Sequence, residues 1–476
     1  MDEGALLGID LGTTAVKVAA FAPDGRELAA HSVPYPIRRP RPGWAEQDPE
    51  DWWRATETAV RTVLSGLPGD AVRTAGIVSQ VNTHLLVDAA LRPLAPAIIW
   101  QDQRCAEIAA ELDARFTDDD KNRVWGGPIV LDASFAGSRA AWFARERPEL
   151  WARARWMLSP KDFLGARLTG RVATDVLSGV RIAGASGYLP EAVAVVDGLA
   201  ERLPELLEPE GLLGRAPLLG NAPVVVGTMD AFGAVFGSRT TEPGRATVTC
   251  GTSLVVAAAS RRTEPVRGLV TFPPRGNVVV HAGPTQAAGD AVRWWSQASG
   301  LSVPEVFASA AKGQPGVVFM PHLQGERAPL WDPDLRGSFL GLTSSTTTAD
   351  LSRAVLTGVA FSARHLLETV EEACPEQLTS VTFSGGGARS DLWTQLHADV
   401  LARPVERLRV LDTAALGAAL LGAVGTGRYP NVETAAAETV ATERVFTPES
   451  ALTSQYEAYR AAHDGLARVH ERLTRG

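Results

Sequence analysis

The chain has 476 residues, of which 45% are hydrophobic and 21% are charged, and its formal net charge is −8. These proportions are typical of globular proteins and exclude global disorder. Basic residues are not in excess, and no uncharged apolar run is long enough to span a bilayer, so we expect neither a nucleic acid nor a membrane as a partner.

Two features of the sequence favour a cytoplasmic location. The chain begins Met1-Asp2-Glu3, which lacks the cationic start of a signal peptide. Its three cysteines are far apart and have no CxxC spacing, which fits a reducing compartment without disulfides or structural zinc.

The first predicted element is a β-hairpin over residues 6–21, with Gly12-Thr13-Thr14 at its turn. Backbone N–H groups and hydroxyls beside a glycine suit phosphate oxygens, although the tripeptide taken alone favours an ordinary turn. Asp10 lies inside the first strand. It either stabilises the turn or holds Mg²⁺, directly or through water, and we favour the metal because a bare carboxylate would repel phosphate.

A predicted helix over residues 49–64 is followed by a predicted strand over residues 76–81. Two segments with polar residues come at the ends of apolar, strand-like runs: Gln80-Val81-Asn82-Thr83-His84 and Trp100-Gln101-Asp102-Gln103-Arg104. Amides, a carboxylate, an indole and a guanidinium together suit a polyhydroxylated ligand. The alternative is a pair of surface turns with incidental polarity.

Asp230 directly follows the apolar run Pro223–Met229 and precedes small and apolar residues. A carboxylate at the end of a buried strand can cap the next helix. It can also act as a general base that removes a proton from a hydroxyl nucleophile. The local sequence leaves both interpretations open.

A second hairpin of the same kind lies halfway along the chain, with Gly251-Thr252-Ser253 at its turn. Two matched hairpins, each near the start of one half, predict two similar domains facing each other. The polar segment 238–245 contains turn formers, so we place the domains at residues 1–240 and 241–476. Strands mixed with helices in both halves predict an α/β protein.

The second half contains predicted helices over residues 286–296, 350–370 and 413–424, and a strand over residues 381–384. Gly385-Gly386-Gly387 follows that strand, and a helix begins near Ser390 or Asp391. Such a loop can accept a nucleotide at the helix N-terminus, but it lacks the spacing of a Rossmann or Walker motif.

Together these segments resemble the FGGY carbohydrate kinases of the actin-like ATPase superfamily, and most of all their xylulokinase branch. The similar segments run in order through nearly the whole chain: GIDLGTTAVKV (8–18), PGWAEQDPEDWW (42–53), AIIWQDQRCAE (97–107), PKDFLGARLTG (160–170), VVVGTMDAFGAVFG (224–237), TCGTS (249–253), FMPHLQGERAP (319–329), RGSFLGLT (336–343), FSGGGARSDLWTQLHADVL (383–401) and ALGAALLG (415–422).

The resemblance implies two ribonuclease-H-like domains around a central cleft, with sugar in the first domain and ATP mainly on the second. Asp230 would be the catalytic base and Asp10 the carboxylate associated with Mg²⁺. The remaining expected contacts fall into three groups: Gly12, Thr13, Thr14, Lys17, Gly251, Thr252 and Ser253 with phosphate; Gly385, Gly386, Gly387 and Gly417 with adenosine; Gln80, Val81, Asn82, Trp100, Asp102 and Asp230 with the sugar.

The resemblance further implies an ATP- and Mg²⁺-dependent kinase that phosphorylates a terminal hydroxyl of a ketose, with xylulose as the first candidate, and it suggests a homodimer. Departures from the xylulokinase pattern at Val81-Asn82-Thr83, Gln101–Arg104 and Ala231 surround the presumed sugar. They leave open another pentulose or polyol, such as ribulose or erythritol. An actin-like ATPase or a sugar-binding regulator without transferase activity is the alternative of a different class.

Overall fold

The computed structural model of the chain describes residues 4–68, 71–127, 129–272, 274–275 and 278–475. Met1-Asp2-Glu3, which entered the cytoplasmic expectation, lies outside them. The chain divides into two compact units: unit 1 comprises Met1–Gly237 and Thr413–Thr439, and unit 2 comprises Ser238–Asp412 and Val440–Gly476. A segment that follows most of unit 2 in the sequence therefore belongs to unit 1.

The elements before residue 238 belong to unit 1. The strands are β1 (Ala5–Leu11), β2 (Ala15–Phe21), β3 (Glu27–Pro34), β4 (Glu46–Gln47), β5 (Val72–Ser79), β6 (Leu85–Val87), β7 (Ala97–Ile98), β8 (Trp156–Leu158), β9 (Ala173–Asp175), β10 (Ala183–Gly184), β11 (Gly187–Tyr188), β12 (Glu205–Leu207), β13 (Leu212–Ala216), β14 (Ala222–Val225) and β15 (Thr228–Met229). The helices are α1 (Pro49–Ser65), α2 (Ala106–Asp113), α3 (Asp118–Trp125), α4 (Ala136–Glu146), α5 (Pro148–Arg153), α6 (Pro160–Thr169), α7 (Pro190–Val193) and α8 (Asp230–Gly237), with 3₁₀ turns at Ala200–Arg202 and Pro217–Leu219.

The later elements belong to unit 2 except for α13 and α14. The strands are β16 (Arg245–Cys250), β17 (Leu254–Ser260), β18 (Val270–Thr271), β19 (Val279–Pro284), β20 (Val318–Met320), β21 (Ser338–Leu340), β22 (Ser380–Ser384), β23 (Val405–Leu408) and β24 (Thr442–Phe446). The helices are α9 (Gly289–Ser299), α10 (Val303–Ala310), α11 (Thr348–Ala373), α12 (Asp391–Leu401), α13 (Thr413–Gly425), α14 (Val432–Thr439) and α15 (Thr453–Arg475), with a 3₁₀ turn at Gly386–Arg389.

Each unit contains one large mixed sheet, and the two sheets have the same core order. In unit 1 the order is β13-β14-β5-β1-β2-β3, with β15 beside β5; β1 is antiparallel to β2 and parallel to β5. In unit 2 the order is β18-β19-β17-β16-β22-β23-β24, and β16 is likewise antiparallel to β17 and parallel to β22. The expectation of a two-domain α/β protein, drawn from the two matched hairpins, is confirmed.

Helix α1 illustrates why a predicted helix forms where it does. Asp48 caps it by accepting a hydrogen bond from the Glu50 N–H, and Pro49 occupies its first turn, where no N–H partner is needed. Its apolar residues recur every three or four positions, so one face is buried against the sheet of unit 1. The observed range, Pro49–Ser65, confirms the predicted helix over residues 49–64.

Helix α13 lies unusually close to the sheet of unit 1 because glycines remove the side chains between them. A Cβ atom on Gly8 of β1 would come 1.8 Å from the Ala415 carbonyl oxygen, and one on Gly76 of β5 would come 1.9 Å from that of Ala418. Any larger residue there would push the helix away. This packing explains why α13 belongs to unit 1.

Within the described ranges, no helix combines the length and the apolar character needed to cross a membrane. The cytoplasmic location stays a prediction.

Candidate functional site

In unit 1, the carboxyl ends of parallel strands bring three predicted site residues together. Asp10 is the penultimate residue of β1, Gln80 follows β5, and Asp230 follows β15, which pairs with the end of β5. Leu11 lies opposite Ser79, and the Gln80 N–H donates to the Leu11 carbonyl at 2.9 Å. The predicted metal, sugar and base residues therefore share one edge of the sheet. Ligands of open α/β sheets bind outside this edge.

Asp230 is the first residue of α8, and its carboxylate accepts a hydrogen bond from the Ala231 N–H at 2.7 Å. Burial raises the pKa of this carboxyl group to about 6. The carboxylate therefore accepts a hydrogen bond from the first turn of its own helix. The raised pKa is compatible with a general base, and that role stays a prediction.

A buried ionic cluster fixes the strand that carries Asp230. Asp175 accepts a hydrogen bond from the Thr228 hydroxyl at 2.8 Å, two residues before Asp230. The Lys161 ammonium group lies 3.0 Å from Asp175 and 2.6 Å from Asp162, and all three side chains are buried. Breaking such a cluster would leave a buried charge without a partner, so the cluster is expected to stay intact. Its hydrogen bond to Thr228 therefore holds the strand that precedes Asp230.

The first hairpin turn has the carbonyl oxygens of all three of its residues engaged by protein donors. The Tyr35 hydroxyl donates to the Gly12 carbonyl, in a very short hydrogen bond, and the Tyr35 N–H donates to the Thr14 carbonyl at 3.1 Å. The Gln47 side-chain amide donates to the Thr13 carbonyl at 2.6 Å. Since a trans peptide directs its N–H away from its C=O, the Thr13 and Thr14 N–H groups point away from Tyr35 and Gln47.

Tyr35 also lies within reach of both acidic site residues. Burial raises its pKa well above the usual range, and the negative charges of Asp10 and Asp230 raise it further. The phenol therefore stays protonated and remains a donor. Lys17 lies directly opposite Asp10 in the ladder of β1 and β2, so the predicted phosphate contact and the predicted metal ligand are cross-strand neighbours.

Gln80 belongs to a chain of amides that leads to the first hairpin. Its side-chain amide donates to Gln47 at 2.8 Å, and Gln47 also accepts a hydrogen bond from the Trp52 indole at 3.2 Å. Gln80 is 1% exposed. Its Oε1 atom accepts no hydrogen bond from any of the described residues. A buried acceptor without a partner is costly, so this oxygen is suited to a ligand hydroxyl.

The other predicted sugar contacts surround Gln80. Val81 and Asn82 are partly buried, and Asn82 has a φ of +53°, a left-handed conformation that asparagine tolerates well. The Trp100 backbone N–H donates to the Thr83 hydroxyl at 3.2 Å, and its indole N–H donates to the Thr13 hydroxyl at 3.0 Å. Trp100 thus joins the predicted sugar region to the first hairpin.

Asp102 differs from the other predicted sugar residues because its carboxylate is completely buried. It accepts hydrogen bonds from the Ala45 N–H and from the Arg104 guanidinium group, which lies 2.7 Å away. Arg104 in turn lies over the Trp44 ring, 3.6 Å from its centroid. Asp102 is therefore satisfied by internal partners and fixes the segment after Trp100, while its contact with a sugar stays a prediction.

In unit 2, the second hairpin turn is held by the backbone. Gly289 at the start of α9 donates its N–H to the Gly251 carbonyl at 3.0 Å, and the Asp290 N–H donates to the Thr252 carbonyl at 3.1 Å. The Gly251 N–H donates to the Ser253 carbonyl at 2.9 Å. The predicted phosphate residues of this unit therefore form one compact turn against a helix start.

The predicted adenosine loop lies beside this second hairpin. Gly385 has a φ of +82°, and a Cβ atom on it would come 2.6 Å from the Cys250 carbonyl oxygen. A Cβ atom on Gly387 would come 2.7 Å from the Cys250 sulfur, whereas Gly386 faces open space. Unit 2 thus brings two separately predicted nucleotide segments together.

Gly417 lies elsewhere, inside α13 of unit 1. A Cβ atom on it would come 1.9 Å from the Gly233 carbonyl oxygen of α8. Close packing of two helices explains this glycine, and its contact with adenosine stays a prediction.

Sequence reasoning assigned no role to Tyr35, Gln47, Asp175 or Lys161. Gln47 and Lys161 lie in two of the similar segments, 42–53 and 160–170, which was the available signal. Tyr35 follows β3, a strand outside the predicted hairpin over residues 6–21, and the sequence offered no comparable signal for it.

Comparisons with known proteins agree with this architecture. The model of the FGGY family of carbohydrate kinases, N-terminal domain, matches residues 5–237, and that of the C-terminal domain matches residues 246–426. The xylulose kinase of Escherichia coli (strain K12) is 31% identical over 98% of this chain and 99% of its own length. A glycerol kinase of Gloeobacter violaceus is 31% identical over 89% of each chain.

Solved structures are similar over the same extent. The structure of a "xyloylose kinase" from Brucella ovis matches with a TM-score of 0.86 and 31% identity, covering 98% of this chain and 99% of that one. The xylulose kinase structure from Rhodospirillum rubrum matches with a TM-score of 0.83 at 24% identity, which supports the fold.

Proposed function

The chain belongs to the FGGY family of carbohydrate kinases, and we propose that it transfers the γ-phosphoryl group of ATP to a terminal hydroxyl of a ketose, with xylulose as the first candidate. The observation that carries this proposal is the position of Asp230. Its carboxylate, with a pKa raised to about 6, lies at the sheet edge shared with the first hairpin.

In the proposed reaction, Asp230 accepts the proton of the sugar hydroxyl. The hydroxyl oxygen then forms a bond to the γ-phosphorus, while the bond from that phosphorus to the β–γ bridging oxygen breaks and ADP leaves with the electron pair. A base with a pKa of about 6 is ionised at neutral pH and still accepts a proton readily.

Charge on the transferred group would be stabilised by the two hairpins. We assign phosphate contacts to Gly12, Thr13, Thr14 and Lys17 of unit 1, and to Gly251, Thr252 and Ser253 of unit 2. The support is the outward direction of the Thr13 and Thr14 N–H groups in unit 1 and the exposure of Thr14 and Thr252. Gly385–Gly387 would contact the adenosine.

Asp10 could serve as a single carboxylate ligand of a magnesium ion. Among the described residues, no group of three or more His, Cys, Asp and Glu side chains is arranged to hold a metal. Mg²⁺ commonly takes one or two carboxylates and completes its shell with phosphate oxygens and water, so Asp10 beside the phosphate hairpin is a suitable donor. When bound there, the ion would neutralise phosphate charge.

On the sugar side, the unpartnered Oε1 of Gln80 supports acceptance of a substrate hydroxyl. Asn82 would add a directional hydrogen bond, Val81 an apolar contact, and Trp100 a flat apolar face. Because glycerol kinases are also among the similar proteins, a three-carbon polyol is the second candidate.

The test is coupled ADP release with D-xylulose, D-ribulose, erythritol and glycerol, for the unaltered chain and for Asp230→Asn. We expect one substrate to give sugar-dependent turnover and Asp230→Asn to lose at least about a thousandfold of it, since it removes the base. Asp119→Asn, which removes an exposed carboxylate of the same unit, is the control and should retain full activity. ATP hydrolysis without any phosphorylated product would instead favour a regulator.

A further inference from the structure

The turn of the first hairpin is held by a hydrogen-bond donor, Tyr35, that lies 21 residues beyond the last turn residue, Thr14. Tyr35 follows β3, and its backbone N–H extends the β2–β3 ladder by donating to the Thr14 carbonyl. This anchors the residue beside the turn. Its ring then reaches back so that the hydroxyl donates to the Gly12 carbonyl.

The orientation of the peptide unit between Gly12 and Thr13 depends on two backbone angles, ψ of Gly12 and φ of Thr13. Glycine accepts a wide range of ψ, but a full flip would take the β-branched Thr13 to a positive φ, which is strongly disfavoured. A partial rotation is therefore the accessible change. It would tilt the Thr13 N–H away from the phosphate and bring the partial negative charge of the Gly12 carbonyl oxygen closer to it.

We propose that Tyr35 is a positioning residue that holds this peptide in the orientation needed for phosphoryl transfer. The inference rests on the proposed function, because it requires the first hairpin to contact the γ-phosphoryl group. Tyr35 suits the task since the residue is 7% exposed and its backbone and side chain hold opposite ends of the same turn. The neighbouring Gln47 holds the next peptide in the same way, through the Thr13 carbonyl.

Tyr35 also has a reason to stay a donor. Burial of the phenol, and then the charges of Asp10 and Asp230, raise its pKa well above the usual range. The hydroxyl that donates to the Gly12 carbonyl therefore stays protonated near neutral pH. Tyr35 contacts no reacting atom in this scheme and acts through the peptide alone.

The experiment compares Tyr35→Phe with Tyr429→Phe. Tyr429 is a matched control because it is also buried in unit 1 and also donates its hydroxyl to a backbone carbonyl, that of Pro23 at 3.1 Å. Each variant loses one hydroxyl and one hydrogen bond of the same kind. General effects on folding should therefore be alike.

We expect Tyr35→Phe to lower kcat/KM for ATP by about 10- to 100-fold, because a small misplacement of a phosphate donor is amplified in the transition state. The KM for the sugar should change by less than about twofold, since no sugar contact is altered. Tyr429→Phe should leave both constants unchanged. A crystal structure of Tyr35→Phe with ADP should show the Gly12–Thr13 peptide rotated or in two orientations.

Two results would overturn the inference: turnover of Tyr35→Phe within twofold of Tyr429→Phe, or an unrotated peptide in the variant's structure. Neither would touch the proposed function, which fails separately if the unaltered chain phosphorylates no sugar or polyol. A uniform loss of activity in both tyrosine variants would also count against Tyr35, since it would reveal a general effect of losing a buried hydroxyl.

Discussion

The two hairpin turns are alike in sequence and topology, yet they are held in different ways. In unit 1, side chains far along the chain hold the turn: the Tyr35 hydroxyl and the Gln47 amide donate to the Gly12 and Thr13 carbonyls. In unit 2, the equivalent carbonyls of Gly251 and Thr252 accept hydrogen bonds from backbone N–H groups at the start of α9.

The two hairpins thus show two ways of holding a turn that is predicted to bind phosphate. Backbone donors survive every substitution except proline, so most side-chain changes affect the second hairpin only if they displace the helix start. Side-chain donors can be deleted one at a time. In unit 1 one of them, Gln47, also accepts a hydrogen bond from Gln80, and Trp100 of the predicted sugar region donates to the Thr13 hydroxyl of the turn. The first hairpin is thus linked to residues of the predicted sugar region, whereas the second lies beside the predicted adenosine loop.

The strongest test of the comparison is Gly289→Ala in unit 2. The new Cβ atom would lie 2.6 Å from the Gly251 carbonyl oxygen, so the start of α9 must move away from the turn. We expect kcat/KM for ATP to fall by about 100-fold, with the sugar KM little changed. Steady-state kinetics at varied ATP and at varied sugar measures both effects.

Gly465→Ala is the matched control for this substitution. Its Cβ atom would meet nothing within 4 Å on the exposed side of α15, and alanine favours helix there. If Gly289→Ala retains normal ATP kinetics, the second hairpin is not held by α9 in the way described.

The pH dependence of activity is the next test, because the groups with shifted pKa values differ between the two hairpins. Near the first hairpin, burial raises the pKa of Asp230 to about 6. Next to the second, burial raises the pKa of the Cys250 thiol to about 12, so it stays neutral. We expect kcat/KM for the sugar to fall about tenfold between pH 7 and pH 5, following the protonation of Asp230.

The raised pKa of Asp230 also makes the free energy of unfolding depend on pH. The folded pKa of Asp230 exceeds its ordinary value of 3.8, so the ionised group destabilises the fold as the pH rises from 4 through 6. Asp230→Asn should therefore gain up to about 3 kcal/mol in unfolding free energy at pH 7 and little at pH 4. Urea denaturation at both pH values measures this, and an equal gain at both would contradict the buried carboxylate.

Much of this organisation could be predicted from the sequence. The two α/β domains follow from matched apolar strands around Gly12-Thr13-Thr14 and Gly251-Thr252-Ser253, and the kinase family follows from segments spread along the chain; both are confirmed. Helix starts such as that of α12 were predictable because Ser390 is a strong capping residue.

The rest could not be predicted because it depends on contacts between distant residues. Nothing in the local sequence indicates that Tyr35 reaches Gly12, or that Asp175 holds the strand before Asp230. The place of α13 in unit 1 depends on glycines in β1 and β5 that resemble any other strand glycine until the helix is laid over them.

The smallest expected effect comes from Trp100→Phe, which tests the link between the first hairpin and the sugar region. Phenylalanine keeps an aromatic face for the sugar but loses the indole N–H that donates to the Thr13 hydroxyl. One such bond is worth about 1 kcal/mol, so we expect kcat to fall about fivefold. Trp125→Phe, whose indole donates to the Arg181 carbonyl and not to the first hairpin, should leave the kinetics unchanged. A change in sugar KM alone would mean that Trp100 serves the sugar and leaves the turn to Tyr35 and Gln47, whereas a change in kcat would make the indole a third donor to the first hairpin.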